Sequence, residues 1–451
     1  MKNNLLIFIG LLSGFFGIGQ QPATSFTLEE AIAYAQQNNY SAINADRDVI
    51  DAQKQKWETI ATGLPQISGD ISYQNQLKQP VTQFPSILVP EQFLPDGVVQ
   101  GPETFVPIVF GQAQQATATV TLQQQIFDGS YIVGVQATRA FLSFSANNKE
   151  KTALDVKKAV VEAYGNVLLA KESVIILKNN KTTLEKNLFE TQKIFENGLG
   201  DEESVEQLQI TLFSVENQLK NAERLERITV QMLNLVMGLD IETPTQLLED
   251  LDQLAQKQMA SGVLDSDFNI ENNVDFKLAT NLNEQRYFEL KLAKSRALPT
   301  LNAFVNYSAF AFSDQFDFLS QTYFQSSVLG FDLKIPIFSS LKRSASTQRA
   351  KIALEKAKTQ LTEAEHSIRL QLENAKSNYI LSIEQYGTSK KNLALAERIE
   401  QKNQVKYLEG IATSFELRQA QTQLYTAQQE YLQSMVNVIN NKTILEGILN
   451  N

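Results

Sequence analysis

The sequence predicts an α+β membrane protein built from two internal repeats, each joining a pair of membrane-length β-strands to a long α-helical hairpin. Three observations carry this reading. The chain repeats itself, four segments alternate apolar and polar residues, and two long stretches rich in helix formers contain no proline.

The repeat is direct. Asn38, Asn39, Ala45, Leu64, Pro65 and Tyr73 recur 234 positions later as Asn272, Asn273, Ala279, Leu298, Pro299 and Tyr307. Gly198, Gln207, Gln209 and Leu212 recur 212 positions later as Gly410, Gln419, Gln421 and Leu424. The offsets differ because the first copy carries a longer internal loop. The first repeat is placed at 20–240, a linker or equatorial segment at 241–270, and the second repeat at 271–451.

Residues 1–19 read as a secretory signal peptide. Lys2 supplies the positive start, Leu5–Ile18 is largely apolar, and Gly17 and Gly19 are small enough for cleavage before Gln20. Thr27-Leu28-Glu29-Glu30 has the pattern of a capping box opening a helix. A second helical stretch runs to about Ile60, where Gly63-Leu64-Pro65 breaks it.

Alternation then begins. Ile67, Gly69, Ile71 and Tyr73 face one way; Ser68, Asp70 and Ser72 face the other. Strands are expected at about 66–77, 116–127, 300–312 and 326–337. In the second, Ala118, Val120, Leu122 and Ile126 form the apolar set. Strands of this length suit a tilted crossing of a bilayer. Phe127, Phe310, Phe312, Tyr323, Phe324 and Phe338 cluster near strand ends, where they would form an interfacial girdle or else ordinary core packing. The loop at about 78–115 holds six of the eleven prolines; its counterpart, about 313–325, holds none.

Long helices follow each strand pair, at about 131–196 and 341–408. Each is on the order of 100 Å long at ~1.5 Å per residue. Gly198 and Gly410 end them, and return helices begin beyond. Leu208, Leu212, Val215, Leu219 and Ala222 in one return helix, and Ala420, Leu424, Ala427 and Tyr431 in the other, have coiled-coil spacing.

Composition narrows function. There is no cysteine and a single histidine, His366, and no Gly-rich phosphate loop appears. The chain therefore reads as a non-enzyme with no cofactor and no metal site. With 50 acidic against 40 basic residues, nucleic acid is not an expected partner.

Four strands cannot stand open in lipid, because every backbone polar group there must be paired. Two copies would make a narrow, filled barrel. Three would make a twelve-stranded barrel wide enough for a pore. The polar face, with Ser68, Asp70, Thr117, Thr119, Asn306 and Lys334, suits a wet lumen better than a packed core.

Several stretches then resemble TolC-like outer-membrane efflux proteins: Phe26-Thr27-Leu28-Glu29-Glu30-Ala31, Leu64-Pro65, Leu298-Pro299, Ile126-Phe127-Asp128-Gly129, Phe195-Glu196-Asn197-Gly198-Leu199 and Tyr407-Leu408-Glu409-Gly410-Ile411. The resemblance covers nearly the whole mature chain. It implies a homotrimer in the outer membrane, with the β-barrel continued by a helical barrel in the periplasm. The chain would be the exit duct of a tripartite efflux or type I secretion system, served by a periplasmic adaptor and an inner-membrane transporter. Drug efflux, metal efflux and protein secretion all use such ducts.

The resemblance also implies sites. Asn197, Gly198, Leu199, Glu409, Gly410 and Ile411 would be the adaptor-binding tips, although each glycine equally fits a plain helix C-cap. A carboxylate ring at the gate would be Glu416, while the position of a second ring is Gln419. A gate arginine is replaced by Ala412. Tyr407 is kept, and Ser204 stands at the first-copy position matching Glu416. The rival reading is a periplasmic coiled-coil adaptor or scaffold, which would share the hairpins but not the membrane-length strands.

Overall fold

The computed structural model describes residues 25–109, 111–260 and 262–450. The expected signal peptide lies outside the described residues. The chain runs β1 (Ser25–Phe26), α1 (Leu28–Asn38), α2 (Tyr40–Ala61), β2 (Gln66–Asn75), β3 (Val81–Pro85), β4 (Phe105–Val109), β5 (Gln114–Asp128), α3 (Gly129–Glu196), α4 (Glu202–Met237), β6 (Gln246–Leu247), α5 (Leu251–Met259), α6 (Val274–Ser295), β7 (Thr300–Ser313), β8 (Phe324–Lys334), α7 (Lys342–Leu408) and α8 (Ser414–Leu449). Among the described residues, no helix is long and apolar enough to cross a membrane. The chain divides into two compact units.

One unit gathers residues up to Arg47, 147–277 and the chain from Ala364 onward. It is helical apart from β1 and β6, which pair in parallel. Its main core holds Tyr164, Leu168, Leu233, Met237 and Ile439. Thr27 caps α1 in a capping box with Glu30, as the sequence predicts. The return-helix seams also form: Leu208, Leu212, Val215, Leu219 and Ala222 are buried on α4, and Ala420, Leu424 and Ala427 on α8.

The segment at 241–270, expected as a linker or equatorial segment, has packed structure of its own. It contains α5, whose Leu251, Leu254 and Ala255 are buried in the main core. Polar bonds fix it as well. Tyr386 and Tyr431 both donate hydroxyl hydrogen bonds to Asp252 Oδ1, at 2.8 and 2.7 Å. The Tyr379 hydroxyl donates to the Gln258 carbonyl at 3.0 Å. Its high content of acids hides this packing from a composition argument, because only one face of α5 is apolar.

The other unit gathers 48–146 and 278–363. Its sheet is antiparallel, in the order β2-β5-β7-β8, so β2 and β8 are edges. The register brings the apolar sets of all four strands to one face: Ile71 pairs with Ala118, Leu122 with Val305, and Val305 with Leu329. A bulge between Gln125 and Phe127 then shifts β5, so that Phe127, not Ile126, pairs with Leu301 on the apolar face. The extra residue of a β-bulge breaks strict alternation.

The aromatic girdle is also corrected. Phe310 pairs with Thr117 and Phe312 with Gln115, which places both on the polar face; Phe324, opposite Phe310, joins them. Tyr323 and Phe338 lie outside the strands. The apolar face instead carries Tyr73, and Phe316 and Phe318 from the β7–β8 loop fold onto its ring, with centroids at 5.3 and 5.7 Å. Gly330 matters on the polar face: a Cβ there would meet the Phe304 ring at 2.3 Å. The ring lies over bare backbone.

The proline-rich loop is partly ordered. β3 and β4 pair as a small antiparallel hairpin. Ser86, fully buried, accepts from the Gly101 amide at 3.0 Å and donates to the Gly101 carbonyl at 3.1 Å. Prolines sit at the end of β3 and within β4, where a two-stranded ribbon leaves outer edges free of ladder bonds.

Candidate functional site at the helical tips

Both hairpin tips fold by the same local rule. At the first, Gly198 takes φ +75°, and the Leu199 amide reaches back to the Ile194 carbonyl at 3.0 Å. At the second, Gly410 takes φ +71°, and the Ile411 amide reaches the Lys406 carbonyl at 2.8 Å. This left-handed turn satisfies carbonyls that the helix end leaves open. No atom crowds either glycine, so backbone conformation alone selects the residue. Asn197 adds a side-chain bond to the Lys193 carbonyl at 2.7 Å.

The next helices start by different caps. Asp201 caps α4 by accepting from the Ser204 amide at 2.7 Å, and Ser204 is buried. That amide bond holds the Asp201 carboxyl below its ordinary range. Thr413 caps α8 in a full capping box: its hydroxyl accepts from the Glu416 amide, while Glu416 Oε2 accepts from the Thr413 amide at 2.8 Å. Glu416 is exposed, and the Thr413 amide holds its carboxyl below the ordinary range. Within a single chain, then, the capping bonds outweigh burial and the net shift of this acid is downward. Gln419 is exposed one turn later.

Polar bonds join the two hairpins across the copies. The Tyr407 and Thr191 hydroxyls lie 3.1 Å apart. Ser414 donates to Gln207 Oε1 at 3.1 Å, and Gln404 donates to Asn187 Oδ1 at 2.9 Å. Further up, Asn180 donates to Gln428 at 3.0 Å. A groove of about 470 Å³ lies between the tips, lined by Leu199, Asp201 and Ser204 on one side and by Tyr407, Glu409 and Gly410 on the other. The structure thus brings all but Gln419 of the expected gate residues to one groove or its cap. Asn197 and Ile411 stand at its outer turns.

Two features go beyond the motifs, which name Leu199 and Ile411 as tip residues but do not give their exposure. Leu199 and Ile411, each directly after a tip glycine, are 83% and 70% exposed. Glu400 is pushed above the ordinary carboxylate range by burial, and that charge site near Tyr425 raises the tyrosine further beyond what burial alone does. The first could have been found from the shared apolar residue after each glycine. The second needs the packing. Among the described residues, no group of three or more His, Asp or Glu side chains is placed to hold a metal ion.

Comparison with known proteins agrees with this architecture. Residues 270–451 match the family model described as outer membrane efflux protein. No curated protein sequence matches the chain. Among solved structures, the chain is similar to the outer membrane protein VceC from Vibrio cholerae, at 16% identity and a TM-score of 0.70, over 94% of this chain and 96% of that one. It is also similar to the Campylobacter jejuni CmeC outer membrane channel, at 16% identity and a TM-score of 0.72, over 94% and 85% of the two chains. The open state of the Neisseria gonorrhoeae MtrE outer membrane channel matches at 16% identity and a TM-score of 0.70, over 94% and 89%. Residues 270–451 are thus similar to the outer membrane efflux protein family, and the chain as a whole shares the fold of these outer membrane channel structures.

Proposed function

We propose that three copies of this chain close a twelve-stranded barrel and act as the passive exit duct of a tripartite efflux or type I secretion system. The single observation that carries the proposal is the open sheet. Its edges, β2 and β8, have no partner within the sheet of this chain, and its apolar face is broadly exposed, with Ile71 and Leu329 uncovered. Unpaired edge groups in lipid cost several kcal/mol each, so the sheet must close on other copies. β2 of one copy meeting β8 of the next closes it. The chain is an outer-membrane protein with its helices in the periplasm, and a periplasmic adaptor or scaffold has no use for such a sheet.

The tips are the proposed adaptor surface. Leu199 and Ile411 present apolar side chains beside the groove between the hairpins. Exposed apolar side chains next to a groove are what a helical partner tip would cover. An inner-membrane transporter supplies the energy, because the duct itself holds no nucleotide motif.

Mass measurement in mild detergent tests the architecture. Three copies are expected, with single-channel conductance after reconstitution. A stable monomer with a closed barrel overturns it. Proteolysis of intact cells is expected to cut within residues 78–115, which lie at the strand ends away from the helices; cleavage at Gly198 or Gly410 instead would invert the topology.

A further inference from the structure

The pairing register reveals an arrangement that strand alternation conceals. The polar face of the sheet is not uniformly polar. On β2 and β5 it carries Ser68, Asp70, Thr117 and Thr119. On β7 and β8, at the loop end of the strands, it carries Phe310, Phe312 and Phe324. Phe310 and Phe312 meet edge to face with centroids 5.7 Å apart, and Phe310 and Phe324 lie 6.0 Å apart at a tilt of 31°. The same face carries Asp332 and Lys334 near its other end. Those charges cannot face hydrocarbon, so the three rings are on the water side of the wall.

The loops beside the rings are acidic. Residues 76–113 and 314–323 contain Glu91, Asp96, Glu103, Asp314 and Asp317 against Lys78, five acids to one base. Aromatic rings under an acidic rim have a definite chemical preference. The ring face attracts cations, and the rim concentrates them. Exposed ring area also gains by covering itself with apolar surface. A small hydrated ion satisfies only the charge; an anion is repelled.

We infer that Phe310, Phe312 and Phe324 form an aromatic shelf inside the outer mouth of the duct, and that it takes lipophilic organic cations on their way out. This rests on the trimeric-duct reading above, which sets three such shelves around one lumen. A wall of only Ser, Thr and Gln would offer such a cargo no contact for its apolar part.

The test uses the full-length protein in planar bilayers, with blockers added from the loop side. Tetraphenylphosphonium is the probe, and tetraethylammonium is the control with the same charge and no rings. Wild type is expected to be blocked about tenfold more strongly by the aromatic cation. In Phe310→Ala/Phe312→Ala/Phe324→Ala that advantage is expected to vanish, with tetraethylammonium block unchanged. The triple Leu variant keeps apolar volume and is expected to lose the same advantage. The single Phe312→Leu is expected to lose part of it and keeps the test decisive if the triple variants do not assemble. An undiminished advantage in any conducting variant overturns the shelf. Equal block of a conducting wild type by both cations overturns the shelf alone. A wild type that forms no conducting trimer overturns the duct reading and the shelf with it.

Discussion

The Asn39 side chain donates to the Val236 carbonyl at 2.7 Å, and so ties the start of α2 to the last turn of α4. Its Oδ1 accepts from the Ser41 and Ala42 amides at the same time. The second copy repeats the device. Asn273 donates to the Ile448 carbonyl at 2.9 Å and accepts from the Asp275 and Phe276 amides. Asn39 and Asn273 are 234 positions apart, Val236 and Ile448 212, the two offsets of the repeat. Each asparagine caps one helix N-terminus and one helix C-terminus.

Replacing either asparagine therefore removes two functions. Asn39→Ala and Asn273→Ala are each expected to destabilise the protein by about 1–3 kcal/mol, from a lost N-cap and an orphaned carbonyl. Asn272→Ala, beside a buried asparagine, is the control and is expected to change stability by under about 0.5 kcal/mol. Thermal unfolding of the purified protein reads all three. Equal behaviour of Asn272→Ala and Asn273→Ala would show that the clasp does not contribute.

The tip glycines make a conformational prediction. Gly410→Val forces a β-branched residue to φ +71° and is expected to cost more than 1 kcal/mol, roughly the left-handed penalty. Gly410→Asn is expected to be milder, because asparagine tolerates this region. Hydrogen exchange at the Ile411 amide, which holds the turn closed onto Lys406, should rise in that order. Similar exchange in both variants would mean the turn does not depend on the residue's backbone preference.

Glu416 has a pH signature. Its folded carboxyl is held below the ordinary range by the Thr413 amide. A depressed carboxyl stabilises the fold above its unfolded pKa and loses that contribution as pH falls through the folded pKa. The first turn of α8 is therefore expected to fray in acid, below the ordinary carboxylate range, and hydrogen exchange at Leu417 should follow. In the proposed trimer, three copies of this charge at the tips should favour cations. Glu416→Gln is expected to keep most of the cap and to reduce cation preference in single-channel recordings. Unchanged selectivity would reduce Glu416 to a helix cap alone.

Glu400 behaves in the opposite sense. Burial raises its carboxyl, so its charged form weighs against the fold. Stability from this group is full below the unfolded pKa and is lost as pH rises through the raised folded value. Glu400→Gln is expected to stabilise the protein at neutral pH and to change little in acid. Denaturation at both pH values checks this; a variant less stable at neutral pH would show that the ionised form is paired.

The sequence by itself determined the repeat, the four long strands, the helical hairpins and both glycine turns. Each rests on local rules: strand period, helix composition and the left-handed conformation that Gly198 and Gly410 adopt. Tertiary structure decided what local rules do not reach. The bulge before Phe127 changed which residue joins the apolar face, because one extra residue inverts alternation. Phe310, Phe312 and Phe324 moved to the polar face because register, not aromatic character, sets facing. The segment at 241–270 gained α5 because core contacts from distant helices, through Tyr386 and Tyr431, hold a short helix that its own length would not sustain. Glu416 acquired its lowered carboxyl from the Thr413 capping box, a pattern written as Thr-x-x-Glu in the sequence but given its electrostatic meaning only by the folded turn.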